Sequence, residues 1–135
     1  MTRGYGLLEG FLAQQRSRVA DALIPPSLRT GRLLDIGCGA YPLFLAQTSF
    51  ARKFGLDKQV ATVAASLDRD GQSTLQLIRY DVEHGGHLPF RDDQFSVVTM
   101  LAVFEHIDII RLVALLSEVR RVLQPGGRLV LTTPT

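Results

Sequence analysis

The sequence predicts one α/β domain, a doubly wound and mainly parallel sheet with a helical layer on each face. Three observations lead there. From residue 32 onward, short apolar segments alternate with segments of helical period, the pattern of strand–helix–strand units. The strand segments are near-continuous apolar runs, as expected for strands covered on both sides. The length, 135 residues, suffices for one ordinary domain and not for two.

Each element has its own local reason. Tyr5 to Leu23 reads as a helix with Leu8, Phe11, Leu12, Val19 and Leu23 near one face, interrupted by Gln15 and Arg16 and stopped by Pro25-Pro26. Arg32 to Ile36 is a short buried strand ending at Gly37. Pro42 to Gln47 starts a helix, with Pro42 where its missing N–H costs nothing. Lys53 to Asp57 is a second strand, Gln59 to Leu67 reads as a helix, and Asp68 to Gly71 turns the chain. Leu75 to Tyr80 is a third strand, and Asp81 to Gln94 a loop. Phe95 to Leu101 is a fourth strand. Asp108 caps a helix to Leu123, whose Ile109, Leu112, Leu116, Val119 and Leu123 keep close to a 3.6-residue period. Pro125-Gly126-Gly127 ends it in a tight turn before a fifth strand, Arg128 to Thr133. The division is an N-terminal helical segment, 1–30, and a core, 31–135. Right-handed crossovers leave few arrangements, and ligands of such a sheet sit at the carboxyl ends of its strands.

Composition excludes several classes. With 46% hydrophobic and 21% charged residues the chain is globular, not collagen-like or disordered. No apolar run approaches the length of a membrane span. Arg3, Glu9, Gln14, Gln15, Arg16 and Arg18 spoil a signal-peptide reading, so the expected location is the cytoplasm. The net charge is +2 and the arginines are scattered, which indicates no nucleic-acid patch. The single cysteine, Cys38, has no internal disulfide partner.

The chemistry concentrates in Leu33 to Pro42, which joins the first strand to the first helix. Gly37 and Gly39 let the backbone turn sharply and let a ligand approach without meeting a Cβ. Two glycines alone could simply make a turn. Asp35 adds information: a carboxylate at the end of a buried strand is costly unless paired, and an acid there would repel a pyrophosphate. The third glycine of the dinucleotide fingerprint is replaced by Pro42. The site therefore suits a ligand with a nearby cation, such as an ammonium. Asp57 ends the second strand 18 residues after Gly39, where an acid can accept both ribose hydroxyls or simply cap the next turn. Asp81 ends the third strand, where it can accept from an exocyclic amine or act as a turn acid.

Taken together, these pieces resemble the class I S-adenosylmethionine-dependent methyltransferases of small-molecule type. The matching segments are Leu34-Asp35-Ile36-Gly37-Cys38-Gly39, Gly55-Leu56-Asp57, Asp81 with Leu88-Pro89-Phe90, Phe95 to Val98, Phe104-Glu105-His106-Ile107, and Leu123 to Leu129. The resemblance implies a three-layer Rossmann-like sheet with strand order 3-2-1-4-5 and S-adenosyl-L-methionine as cofactor. Asp35, Gly37 and Gly39 would hold its methionine part, with the Cys38 backbone and Tyr41 close by. Asp57 would bind the ribose, Lys58 would lie beside the adenine, Asp81 and Val82 would close over the adenine amine and ring, and Leu101 would contact the cofactor through its backbone. No metal is implied, since His84 and His87 lack further ligands at suitable spacing.

The implied reaction is methyl transfer to an acceptor, expected to be a small molecule, with His106 as the candidate general base beside the alternative of a structural histidine. The N-terminal helix is placed either over the cofactor or in simple docking on the core. Tyr41, Ser96 and Ala102 depart from common family residues, and the usual final strand pair is lacking. The expected consequence is a truncated chain, a gene fragment, or a fifth-strand edge covered by another subunit, as in a homo-oligomer. Two other readings stay open: a non-catalytic S-adenosylmethionine-binding subunit or fragment, and a dinucleotide-binding domain.

Overall fold

A computed structural model describes residues 3–40, 42–60, 63–67, 73–84, 86–101 and 107–133. Its elements in chain order are helix α1 (Arg3–Ala22), a 3-10 turn (Pro26–Leu28), β1 (Arg32–Ile36), α2 (Leu43–Gln47), β2 (Arg52–Asp57), β3 (Val63–Leu67), β4 (Ser73–Arg79), β5 (Phe95–Leu101), α3 (Ile109–Val122) and β6 (Leu123–Thr132). The strands form one sheet in the order β3-β4-β2-β1-β5-β6. All neighbouring pairs are parallel except β3 with β4. Without β3, the order is the 3-2-1-4-5 arrangement that the sequence predicts.

β3 corrects the reading of Gln59 to Leu67 as a helix. Val63 to Leu67 instead runs antiparallel along β4, with Val63 opposite Leu77 and Leu67 opposite Ser73. The competing influence is non-local: β4 would otherwise present a free edge, and an adjacent strand satisfies its backbone groups. At the other edge, Phe95 faces Leu123 but Val97 faces Arg128. Two steps along β5 thus match five along β6. The expected Pro125-Gly126-Gly127 turn is absorbed as a bulge, with Gly126 at φ +81°, and β6 starts at Leu123 rather than Arg128.

Strand alternation sends successive side chains to opposite faces. Leu34, Ile36, Leu56, Val98 and Met100 pack with Leu112, Leu115, Val119 and Val122 of α3. Leu33 and Val97 pack on the other face with Ala20, Ile24, Phe44 and Leu45. Phe54, Phe90 and Phe95 add three edge-to-face ring pairs, with centroids 4.8 to 6.0 Å apart, on the α3 side.

α1 docks on a face other than the expected one. Leu8, Phe11, Leu12, Val19 and Leu23 are exposed, whereas Ser17, Ala20 and Ile24 are buried. Small side chains let the helix lie close to the sheet, and the bulky stripe turns outward. Arg29 fastens its end: Nη1 donates to Asp21 Oδ1 at 2.9 Å, and Nη2 donates to the Asp21 carbonyl at 2.8 Å and the Ile24 carbonyl at 3.3 Å. Asp21 Oδ1 also accepts from Thr48 Oγ1 at 2.7 Å, which ties α1 to the end of α2. On the opposite face, Asp108 caps α3 by accepting from the Ile110 N–H, as the sequence predicts.

Glu118 fixes the loop before β5 to α3. It is 9% exposed and accepts from the Leu88 N–H at 2.8 Å and from Arg121 at 2.8 and 2.9 Å. Arg121 also donates to the carbonyls of Phe90 and Leu88 and to Asp92 Oδ1. Among the described residues, no helix is long and apolar enough to cross a membrane.

Candidate functional site

The site begins at the end of β1. The pleat that sends Leu34 and Ile36 toward α3 sends Asp35 toward α1. Asp35 is 3% exposed and accepts a hydrogen bond from Thr99 Oγ1 at 2.7 Å. Thr99 is its register partner on β5. Burial pushes the Asp35 carboxyl up to about 7; the Thr99 bond opposes this, and the nearby Asp57 charge adds to it.

Beyond Ile36 the chain folds back over β2. The N–H groups of Gly37 and Cys38 both donate to the Leu56 carbonyl, at 2.7 and 3.0 Å. The Gly39 N–H donates to Asp57 Oδ2 at 3.0 Å, and the Gln59 N–H donates to Asp57 Oδ1 at 2.8 Å. Gly37 and Gly39 take φ of +75° and +84°. A Cβ on Gly39 would meet no atom within 4 Å, so this glycine faces open space. Gly55 on β2 is the opposite case: a Cβ there would lie 2.6 Å from Leu45 Cδ1 and 2.8 Å from Cys38 Sγ. Its bare backbone lets the turn and α2 settle on the sheet. The Cys38 thiol is pushed up to about 12, first by burial and then by Asp35 and Asp57, which favours its protonated form.

A cavity of about 260 Å³ opens over this turn, lined by Asp35, Gly37, Cys38, Gly39 and Leu101, by Leu43 and Phe44 of α2, and by Ala13, Arg16 and Ser17 of α1. Its size is close to the lower end of small-molecule sites. A larger groove, about 660 Å³, lies between α3 and β6. That groove contains neither the glycine turn nor the strand-tip acids, so chemistry favours the smaller cavity.

The structure thus gathers five sequence-predicted residues, Asp35, Gly37, Cys38, Gly39 and Leu101, around one space. Asp57 stands just behind the turn. Asp81 is at the next strand tip, joined to it through the Tyr80 N–H, which donates to the Asp57 carbonyl at 3.1 Å. Asp81 Oδ1 accepts from the Glu83 N–H at 2.9 Å, and Oδ2 lies 2.8 Å from His84 Nδ1. The His84 contact is the largest cause holding the Asp81 carboxyl below its usual value. Lys58 Nζ is 3.9 Å from Glu83 Oε2. Val82 packs against the α3-side core. Tyr41 and His106 lie outside the described residues.

Sequence reasoning did not single out Ala13, Arg16, Ser17, Leu43 or Phe44. The signal for the α1 residues is present: Ala13, Ser17, Ala20 and Ile24 follow the i, i+4, i+7, i+11 spacing of one helical face.

Residues 34–131 match the family model described as a methyltransferase domain. The chain is 32% identical over 103 residues to the uncharacterized methyltransferase YcgJ of Bacillus subtilis (strain 168), a match covering 74% of this chain and 39% of that protein. It is 37% identical over 106 residues to a Mycolicibacterium smegmatis protein named as a probable S-adenosylmethionine-dependent methyltransferase, covering 76% of this chain and 37% of the relative. The crystal structure of an S-adenosylmethionine-dependent methyltransferase from Mesorhizobium loti superposes with a TM-score of 0.59 and 20% identity, covering 84% of this chain and 50% of that one. At that identity the likeness is one of fold. The chain matches less than two fifths of the length of either curated relative. From the family match and the arrangement of its sheet, the chain belongs to the methyltransferase domain family and has the class I S-adenosylmethionine-dependent methyltransferase fold.

Proposed function

We propose that this chain binds S-adenosyl-L-methionine at the carboxyl ends of β1, β2 and β4 and serves methyl transfer to a small-molecule acceptor. The observation that carries the reading is Asp35: a buried carboxyl with a single side-chain partner among the described residues, set in the wall of a cavity beside a glycine turn that has no Cβ in the way. A carboxylate so placed calls for a cation, and an ammonium answers that need. The residues present therefore fit the cofactor. When bound, the cofactor supplies a sulfonium whose methyl group is electrophilic.

The chain's own groups divide the remaining work. Asp35 accepts from the ammonium, while Gly37, Cys38 and Gly39 shape the turn around the methionine part. Asp57 accepts from the ribose hydroxyls; its two oxygens already hold the Gly39 and Gln59 N–H groups, so turn and ribose share one anchor. Lys58 flanks the adenine, Asp81 accepts from its amine, Val82 borders its ring, and Leu101 contributes backbone. His106 takes a proton where the acceptor has one to lose.

Calorimetry and thermal shift with S-adenosyl-L-methionine, its demethylated product and NAD test the reading. The first two are expected to stabilise the chain, by about 2.7 kcal/mol at a hundredfold excess over Kd, and NAD is not. Stabilisation by NAD alone would replace this reading with a dinucleotide-binding domain. For His106, the His106→Ala variant is expected to keep cofactor affinity and lose turnover; unchanged turnover removes it from the mechanism.

A further inference from the structure

The bulky side of α1 is turned to solvent. Leu8, Phe11, Leu12, Val19 and Leu23 are each between 44% and 59% exposed, while Ser17, Ala20 and Ile24 bury against the sheet. At about 100° per residue, the five exposed side chains fall within an arc of about 120°. Cations border that arc. Measured from Val19, Arg16 stands about 60° to one side and Arg18 about 100° to the other. Arg128 donates to the Leu23 carbonyl at 3.4 Å, which sets a third cation at the end of the stripe. Glu9 is an acid on the Arg16 flank. Asp21 lies on the back of the helix, where it accepts from Arg29 and Thr48. The border therefore carries more positive than negative charge.

We propose that the outer face of α1 docks on an anionic lipid surface, with the Leu8–Leu23 ridge in the interface and the bordering arginines on the head groups. Two observations choose this occupant over a protein. The first is area. The ridge is about 23 Å long and roughly 10 Å wide, on the order of 230 Å², against the ~800 Å² that each side of a stable protein interface buries. A single convex helix offers a flat protein partner little more, whereas the acyl boundary deforms around it. The second is charge. Arginines on both borders of an apolar stripe reach outward to phosphates while their stems lie along the apolar boundary. Among the described residues no helix is long and apolar enough to cross a membrane, so the helix lies in the plane of the surface. The opposite face of the same helix supplies Ala13 and Ser17 to the cavity wall, so docking leaves that wall in place. The proposal does not depend on which ligand fills the cavity.

The test is co-sedimentation of the full chain with vesicles of phosphatidylglycerol mixed into phosphatidylcholine, and with vesicles of phosphatidylcholine alone. Partitioning onto the anionic vesicles is expected to be about tenfold stronger or more, and to weaken as salt is raised. The double variant Leu12→Ser, Val19→Ser is expected to lose about tenfold or more on anionic vesicles, and Phe11→Ser a smaller part of that. Arg18→Glu is expected to lose about fivefold or more on anionic vesicles and little on neutral ones. All these positions are exposed, and an unchanged thermal midpoint shows that each variant is folded. Absence of vesicle binding overturns the proposal. So does binding that the ridge variants leave intact, which would reduce it to general charge attraction, and so does equal binding to both kinds of vesicle. Self-association of the chain in sedimentation, removed by the ridge variants while vesicles stay unbound, would assign the ridge to a second copy and overturn the lipid reading.

Discussion

The Gly39 N–H donates to Asp57 Oδ2 at 3.0 Å, so the turn after β1 is held by the side chain at the tip of β2. The other carboxylate oxygen accepts from the Gln59 N–H at 2.8 Å. Asp57→Asn keeps one oxygen for two donors and leaves one N–H facing an amide NH2. The expected cost is about 1 kcal/mol of stability, together with weaker cofactor binding. Thermal denaturation and calorimetry on the same samples measure the two effects; a variant as stable and as tight-binding as the original would show that this anchor is idle.

Two glycines near that turn are irreplaceable for different reasons. At Gly55 the obstacle is packing against Leu45 and Cys38, so Gly55→Ala is expected to cost roughly 1–3 kcal/mol as the core is pushed apart. At Gly39 there is space but φ is +84°, so Gly39→Ala is expected to cost about 1–2 kcal/mol of backbone strain. Substituting D-alanine at Gly39 by chemical ligation separates the cases, because a D-residue favours positive φ. Stability recovered at Gly39 by the D-residue would confirm strain as the cause.

Asp35 makes the empty chain sensitive to pH. Burial raises its carboxyl to about 7, so between about pH 4 and 7 the folded chain holds a proton that the unfolded chain has released. Stability from this group is complete below the unfolded value and is lost as pH rises through 7. Asp35→Asn removes the penalty, and the unliganded variant is expected to gain at least about 1 kcal/mol at pH 8, on the order of 3–5 °C in Tm, with little gain at pH 4. Ligand binding should run the other way: an ammonium requires the ionised acid, so affinity is expected to fall toward tenfold per unit as pH drops below 7. A flat affinity between pH 5.5 and 8 would argue against an Asp35–ammonium contact.

Glu118 carries the reverse sign. The Arg121 hydrogen bonds hold its carboxyl down at about 2, so it stabilises the fold above its ordinary value of 4.5, and that contribution drains away as pH falls toward 2. Arg121→Ala leaves the Glu118 charge buried and releases the carbonyls of Leu88 and Phe90, with an expected loss of about 3 kcal/mol or more. Urea denaturation at pH 7 and pH 3 measures it. The gap between variant and parent should narrow at the lower pH.

Much of this architecture is written in local chemistry. Arg32–Ile36 and Phe95–Leu101 have the bounds that their apolar runs predict, and Pro42 and Asp108 stand at the helix starts they signal. The Asp35, Gly37 and Gly39 cluster is legible because its residue types have few other uses at a strand end. β3 is only weakly legible: Val60, Thr62 and Val63 lean toward a strand but Ala61, Ala64 and Ala65 favour a helix, and pairing with the neighbouring edge of β4 decides the matter. The exposed stripe of α1 misleads for a related reason. Leu8, Phe11 and Leu12 are the more hydrophobic side, but the close approach to the sheet favours Ala20 and Ser17. Arg16 becomes visible only once that docking face is known.

Because α1 supplies one wall of the cavity and the β1 turn another, anything seated there touches segments separated by some twenty positions of chain. Occupancy and helix docking are then thermodynamically linked in both directions. A guest should slow amide hydrogen exchange along the middle of α1, and a lesion at Arg29, which is not among the cavity's lining residues, should loosen its hold. The first helix, in this sense, is part of the receptacle and not merely its lid.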